Sequence, residues 1–199
     1  MYRKYDGKFK TQIMTIFAGE YYISSSQEVI STVLGSCIAV CLYDSVNRIG
    51  GMNHFMLPSG NQESFIHDSV IDRDKLTEQS MRYGITAMEV LVGEMQKRGA
   101  RRPHMKAKIF GGGKVINKNL TRTSVGDKNI GFAKAYLKME NIPIESENVG
   151  ETFGRKIFFL TENNSVFVKR VELEPAVEEE RNYMRKLKDL KQKSDVTIF

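Results

Sequence analysis

Cys37 and His54 are the two residues whose types can do covalent chemistry together. A free thiol is only a few per cent ionised at pH 7, and a nearby imidazolium stabilises the thiolate and lowers its pKa. A sulfur activated in this way attacks carbonyl carbons, and the imidazole then carries protons to and from the reacting groups. The pair therefore indicates nucleophilic acyl transfer.

The residues before the cysteine add two further functions that this chemistry needs. Gly35 and Ser36 are small, so a substrate carbonyl can approach the chain, and backbone N–H groups near Cys37 can stabilise an oxyanion. Such stabilisation contributes about 3–4 kcal/mol in known enzymes. Ser31 or Thr32 supplies a hydroxyl that can orient the imidazole.

A β-hairpin is the element that has to bring the sulfur and the imidazole together. Two apolar runs of strand length, residues 37–43 and 49–57, flank a polar turn. If Tyr43 pairs with Arg48, the cysteine and the histidine lie directly opposite each other, with Cβ atoms about 4.5–5.5 Å apart. A shift of one residue would place them on opposite faces, so the length of the turn decides whether they meet.

The same residues also allow a purely structural interpretation. Cysteine often packs as a small buried hydrophobe, and a histidine on a strand is often a hydrogen-bonded core residue. Cys41 lies on the same strand face as Cys37 but between Val40 and Leu42, which favours core packing. Two cysteines four residues apart, with no second ligand pair downstream, do not match a zinc site, and we expect no metal and no cofactor.

Composition limits the class of protein. The chain has 199 residues, 41% of them hydrophobic and 27% charged, as in a globular domain with a substantial core. The net charge is +6, but the basic residues are interspersed with acidic ones and form no dense block and no aromatic–basic motif. Nucleic-acid binding is therefore the weakest of the candidate functions. We find no signal peptide or membrane span, and expect a cytoplasmic protein with reduced cysteines.

The order of elements predicts one α/β domain: a β-sandwich-like, largely antiparallel sheet flanked by helices, with a charged C-terminal tail. We expect a loose leader over residues 1–10, the domain over 11–171, and a charged tail over 172–199 whose composition is compatible with a helix. An apolar stripe at alternating spacings of four and three predicts an amphipathic helix from residue 77 to 97; its members are Met81, Ile85, Met88, Val92 and Met95. The other predicted elements are a shorter helix over 129–139 and strands over 11–23 (one or two), 29–34, 37–43, 49–57, 106–110, 142–149, 155–160 and 166–171.

Several motifs resemble the chemoreceptor glutamine deamidase family, CheD. The resemblance covers residues 15–171 and is most specific in Leu34-Gly-Ser-Cys-Ile-Ala-Val-Cys-Leu-Tyr-Asp44 and Ile49-Gly-Gly-Met-Asn-His-Phe-Met-Leu-Pro58. Weaker matches are Arg82-Tyr83, Gly99-Ala100, Ala107-Lys-Ile-Phe-Gly-Gly112, Val125-Gly-Asp-Lys-Asn129 and Gly154-Arg155.

This resemblance implies a protein-glutamine amidohydrolase that converts glutamines of methyl-accepting chemotaxis receptors to glutamate and releases ammonia, through a thioester on the cysteine. It implies Cys37 as nucleophile and His54 as general base. The family's third catalytic residue is a threonine six positions before the cysteine, where this chain has Ser31, with Thr32 beside it. The implied fold is an α/β sandwich similar to the deamidating domain of a cytotoxic necrotizing toxin, and the implied partners are the receptors and a CheC-type phosphatase.

Glycines are the predicted walls of the substrate groove, because a receptor helix can come close to residues without side chains. The candidates are the pair Gly50 and Gly51 and the turn that contains Gly111 and Gly112. The turn lacks the spacing of a phosphate-binding loop. A receptor helix also requires a shallow, accessible groove rather than a deep pocket, so we expect the cysteine sulfur to be reachable from solvent.

Two other functions remain open at this stage. The protein can be a non-catalytic regulator that binds chemoreceptors or the phosphatase, or it can be a receptor methylesterase that uses the same residues. Ammonia release and its dependence on Cys37 separate these functions from deamidation.

Overall fold

The computed structural model describes residues 1–57, 79–114 and 124–172. The strands are β1 (Tyr2–Asp6), β2 (Thr11–Thr15), β3 (Tyr21–Ser24), β4 (Val29–Leu34), β5 (Ile38–Asp44), β6 (Ile49–Phe55), β7 (Met105–Gly111), β8 (Ile144–Val149), β9 (Gly154–Leu160) and β10 (Ser165–Val171), and the helices are α1 (Gln79–Lys97) and α2 (Val125–Met139). Neither helix is long and apolar enough to cross a membrane.

The described strands form two five-stranded sheets. The first has the order β1-β2-β4-β9-β10 and the second the order β3-β6-β5-β7-β8. The pairs β2–β4 and β7–β8 are parallel, and the other pairs are antiparallel. The prediction of a largely antiparallel α/β sandwich is therefore confirmed.

Two apolar layers hold these elements together. One lies between the two sheets and includes Ile30, Leu34, Cys37, Cys41 and Met52. The other lies between the second sheet and the helices, where α1 and α2 pack against β5 and β6. Strand β5 is buried at every position because it is central in the middle layer, which explains why its sequence is continuously apolar rather than alternating.

The first ten residues differ from the prediction of a loose leader. Strand β1 pairs antiparallel with β2, with Tyr2 opposite Thr15 and Asp6 opposite Thr11. Its side chains are almost all exposed, so the strand carries no hydrophobic pattern, and it is held by backbone pairing with β2 and by the contacts of Arg3 with Tyr22 and Glu28. The predicted tail from residue 173 onward lies outside the described residues, and the domain limits 11–171 and 172–199 stay predictions.

Candidate active site

His54 is held by the first sheet although it belongs to the second. It is on β6 between Met52 and Met56, both of which face the layer between the sheets. From the opposite side, Thr32 on β4 brings its hydroxyl to 2.8 Å from His54 Nδ1. Thr32 is fully buried and His54 is 1% exposed, so this contact is made away from water.

The hydrogen bonds of Thr32 determine the tautomer of the imidazole. The Thr32 hydroxyl has one proton and donates it to the carbonyl oxygen of Ile16, at 2.8 Å. Both short contacts are satisfied only if His54 Nδ1–H donates to Thr32 Oγ1. The proton-accepting atom of the ring is therefore Nε2, which is the atom available to a general base.

The backbone of His54 is fixed as firmly as its ring. Its N–H donates to the carbonyl of Glu20 (2.9 Å), and its carbonyl accepts from the N–H of Gly19 (2.7 Å). Gly19 adopts φ +85, in the left-handed region that favours glycine. The turn between β2 and β3 thus supports the backbone of His54, while Ile16 at the start of this turn supports the ring through Thr32.

Cys37 lies on the same face of the second sheet as His54, but not directly opposite. In the observed register, Ala39 pairs with His54 and Tyr43 pairs with Gly50. The prediction that Tyr43 pairs with Arg48 is wrong by two residues, because the four-residue turn begins after Asp44, one residue later than assumed. A shift of two preserves the face, so Cys37, in the layer between the sheets, is a diagonal neighbour of His54 rather than its direct partner.

Burial sets the electrostatics of this site. Cys37 has no exposed surface, which is contrary to the expectation of a sulfur reachable from solvent. Burial lowers the pKa of His54 to about 3, so the imidazole is neutral at pH 7. A neutral imidazole acts as a proton acceptor, and the sequence-based idea of an imidazolium that stabilises a thiolate does not apply to this resting state. Burial also raises the pKa of the Cys41 thiol, which fits its predicted packing role.

The cysteine segment is bonded to the glycine turn after β7. Gly112 N–H donates to the Cys37 carbonyl and Gly113 N–H donates to the Gly35 carbonyl, both at 2.7 Å. Gly111 has φ +109, and a Cβ there would lie 2.2 Å from the Cys37 oxygen. The turn therefore packs directly against the Cys37 segment, and only glycine permits so close an approach; its role as a wall of the substrate groove stays a prediction. Ser36 is buried, and its hydroxyl lies 3.6 Å from the sulfur of Met56.

Ser31 does not reach the imidazole. Its side chain is on the face of β4 opposite to that of Thr32, and its hydroxyl donates to the carbonyl of Ile157 on β9 (2.8 Å). Successive side chains of a strand point to opposite faces, so only one of the two adjacent hydroxyls can enter the layer between the sheets. The structure gives Thr32 the orienting position that the resemblance implied for Ser31.

Gly50 and Gly51 do not form a wall of the site. They lie at the other end of β6, four and three residues before His54, which corresponds to about 10–13 Å. A Cβ on Gly50 would lie 3.2 Å from the ring of Phe159, and a Cβ on Gly51 would lie 2.9 Å from Ile23. Both glycines are needed for core packing, and the prediction of a groove role for them is wrong.

Two contributors were missed in the sequence. One is the main-chain carbonyl of Ile16, for which no side-chain signal exists. The other is Asn129 on α2, fully buried, which bonds to the backbone next to Cys37. It could have been found in the sequence as a polar amide on the face of α2 that is otherwise apolar and buried, one turn before Ala133.

This architecture defines a class of α/β sandwich proteins in which cysteine and histidine lie on the inner face of one sheet and a hydroxyl from the other sheet holds the imidazole. The family model described as CheD chemotactic sensory transduction matches residues 56–170. The chain therefore belongs to the CheD family.

Similarity to individual relatives extends over nearly the whole chain. A protein of Methylobacillus flagellatus named "Probable chemoreceptor glutamine deamidase CheD" is 39% identical over 198 residues, which cover 98% of this chain and 93% of the relative. A Shewanella oneidensis protein named "Probable chemoreceptor glutamine deamidase CheD 1" is 40% identical, over 99% and 92%. A Janthinobacterium protein with the first of these names is 37% identical, over 98% and 93%.

Proposed function

We propose that this protein is a chemoreceptor glutamine deamidase, a hydrolase that converts glutamine side chains of methyl-accepting chemotaxis receptors to glutamate. Membership of the CheD family and the names of its relatives support the activity and the substrate class. The residues proposed to carry the reaction are Cys37 as nucleophile, His54 as general base and acid, and Thr32 as the residue that orients His54.

The observation that carries the proposal is the hydrogen-bond chain from Ile16 through Thr32 to His54. A core histidine needs only one partner to satisfy its ring N–H. Here the partner hydroxyl is itself oriented by a second bond, and the resulting tautomer leaves Nε2 as the proton acceptor on the face shared with Cys37. This arrangement of base and orienting group is the one that activated nucleophiles use.

The first half of the reaction forms a thioester. The sulfur of Cys37 attacks the δ-carbonyl carbon of the substrate glutamine as His54 Nε2 takes the thiol proton. The carbonyl electrons move to oxygen, and N–H groups of the cysteine segment, near Gly35 and Ser36, stabilise the oxyanion. The tetrahedral intermediate collapses, the C–N bond breaks, and His54 returns the proton to nitrogen, so that ammonia leaves.

The second half hydrolyses the thioester. Water attacks the acyl carbon while His54 Nε2 takes one of its protons. The C–S bond breaks, the sulfur recovers that proton, and the product is glutamate. His54 starts both half-reactions as the neutral base, and such acid–base catalysis typically contributes 10²- to 10⁴-fold. A pKa of about 3 makes the buried imidazole a weak proton acceptor, so the reaction requires that substrate binding raise this pKa towards the working pH.

Burial of the sulfur imposes a requirement on substrate binding. With Cys37 unexposed and His54 at 1%, the glutamine amide can reach the sulfur only if side chains that cover it move when the receptor binds. The same burial is the observation that favours the alternative function, in which the protein binds receptors and regulates them without turnover.

Ammonia release from receptor fragments tests the proposal. The Cys37→Ala variant should lose release completely, whereas Cys41→Ala, which removes the other buried thiol on the same face, should keep it within about threefold. Full release by Cys37→Ala would overturn the mechanism. No release by the wild type would favour the binding function, and methanol instead of ammonia would identify an esterase.

Two expectations remain predictions. The CheC-type phosphatase as a partner rests on the resemblance alone, and cytoplasmic location rests on the sequence. Binding of purified phosphatase to Cys37→Ala would test the first without interference from turnover.

A further inference from the structure

Asn129 bonds to two backbone segments that belong to different strands of the candidate site. Its Nδ2 donates to the carbonyl of Ser36 (2.7 Å), and its Oδ1 accepts from the N–H of Leu57 (2.9 Å). The side chain is fully buried. Ser36 directly precedes Cys37, and Leu57 follows the end of the strand that carries His54.

These two partners lie just beyond the end of the β5–β6 ladder. The last paired residues are Ile38 and Phe55. If the same register continued by two residues, Ser36 would lie opposite Leu57. The side-chain amide instead lies between them and bonds to both, so the strand ends are kept further apart than a direct N–H···O bond of about 2.9 Å would allow.

The helix that carries Asn129 is itself packed tightly against the site. A Cβ on Gly126, one turn earlier, would lie 2.2 Å from the oxygen of Gly112, and a Cβ on Gly112 would lie 2.4 Å from Ile130. Ser124 caps the helix and forms a reciprocal capping box with Asp127. The amide is therefore presented from a fixed support rather than from a loop.

We propose that Asn129 is a positioning residue that sets the spacing and orientation of Cys37 relative to His54. The inference deepens the proposed function and rests on it. The amide fixes the Ser36–Cys37 peptide by its oxygen, and it fixes the far end of β6 by Leu57. Ser36 and Leu57 both lie beyond the last β5–β6 pair, Ile38 with Phe55, so the amide ties together the two chain segments that leave the ladder beside Cys37 and His54.

Asparagine is suited to this task because it both donates and accepts. Alanine removes both bonds. A carboxylate accepts from Leu57 but cannot donate to the Ser36 oxygen, whereas a protonated carboxyl can do both. Burial next to a carbonyl oxygen raises the pKa of a carboxyl, so an Asn129→Asp variant regains its donor as the pH falls. His54 stays neutral down to about pH 3 and does not obscure this recovery.

The test measures kcat and KM for ammonia release by the full chain. Asn129→Ala should lower kcat about 100-fold, the size expected for a displacement of about 1 Å, with KM changed less than about threefold. Asn129→Asp should be similarly slow at pH 8, and its activity relative to wild type should rise at least fivefold at pH 5.5. Leu137→Ala, which opens a cavity two turns along the same helix, is the control for lost stability and should keep kcat within about threefold.

Three outcomes would overturn the inference: a kcat of Asn129→Ala close to wild type, an equal loss in Leu137→Ala, or parallel pH profiles for Asn129→Asp and wild type. Asn129→Asp keeps the shape of the native side chain, so its pH profile decides the matter if Asn129→Ala does not fold. Cys37→Ala in the same series separates this inference from the proposed function. An active Asn129→Ala beside an inactive Cys37→Ala overturns only the positioning role, whereas an active Cys37→Ala overturns both.

Discussion

The adjacent hydroxyls of Ser31 and Thr32 allow a sharp test of how the imidazole is oriented. Thr32→Val keeps the volume of the side chain and removes the hydroxyl that connects Ile16 to His54. Ser31→Ala removes a hydroxyl one residue away that donates to Ile157 on the other face of the strand. The two variants thus compare similar chemical changes on opposite sides of one sheet.

The expected magnitudes follow from the number of groups that lose a partner. In Thr32→Val, the carbonyl of Ile16 and the Nδ1–H of His54 both lose a buried hydrogen bond, at about 1–3 kcal/mol each, so the free energy of unfolding should fall by about 2–6 kcal/mol. The ring also loses its fixed tautomer, and kcat should fall about 100-fold, within the range of acid–base catalysis. In Ser31→Ala, one bond is lost, stability should fall by about 1 kcal/mol, and kcat should change less than threefold.

Ammonia release from receptor fragments and unfolding in urea provide the two measurements. Thr32→Ser keeps the hydroxyl and should keep kcat within about tenfold of wild type. The reasoning is refuted if Ser31→Ala loses activity as severely as Thr32→Val, or if Thr32→Val, measured at a temperature where it is folded, turns over at the wild-type rate.

Two further predictions concern the buried imidazole and the glycine turn. Burial lowers the pKa of His54 from 6.5 to about 3, so between these pH values only the unfolded chain has a protonated imidazole. The stability that the neutral, buried His54 contributes is therefore complete above pH 6.5 and is lost as the pH falls towards 3. At pH 4.5 this proton uptake lowers the free energy of unfolding by about 3 kcal/mol relative to its value above pH 6.5. The decrease, measured by urea unfolding, should be smaller by that amount in His54→Gln. An equal decrease in wild type and variant would contradict the low pKa. Gly111→Ala should lose both stability and ammonia release because its Cβ would meet the Cys37 oxygen, whereas Gly150→Ala, also at positive φ but in open space, should lose only about 1–2 kcal/mol; equal losses would show that the close approach is unimportant.

Most of the fold is predictable from hydrophobic patterns. The strands over residues 29–34 and 155–160 and the end of the long helix at Lys97 agree with the sequence-based limits. Strand β1 is the exception, because its exposed side chains have no hydrophobic pattern, and the strand is ordered by non-local interactions: backbone pairing with β2 and the contacts of Arg3 with Tyr22 and Glu28.

The relation between Cys37 and His54 was predicted correctly in face and wrongly in register. Asp44 accepts hydrogen bonds from the N–H groups of Val46 and Asn47, and Arg48 adopts φ +56, so the turn takes four residues after Asp44. Composition marks residues 44–48 as a turn but does not say which four of them leave the ladder: the predicted register leaves out 44–47, and the structure leaves out 45–48. An error of two residues preserves the face, and for that reason Cys37 and His54 still lie on one side of the sheet, as diagonal rather than direct neighbours.

The choice between Ser31 and Thr32 shows why the site could not be completed from sequence. Both hydroxyls sit in apolar alternating rows of β4: Val29 and Val33 flank Ser31, and Ile30 and Leu34 flank Thr32. Either row can face a core, so periodicity does not distinguish them. The sandwich decides, because Ile30 and Leu34 pack between the sheets, and Thr32 therefore points at the strand that carries His54. Counting back from the cysteine identifies the orienting residue only if the position reached faces the layer between the sheets. Which positions of β4 face that layer depends on how the two sheets pack, and the sequence of the strand alone does not determine it.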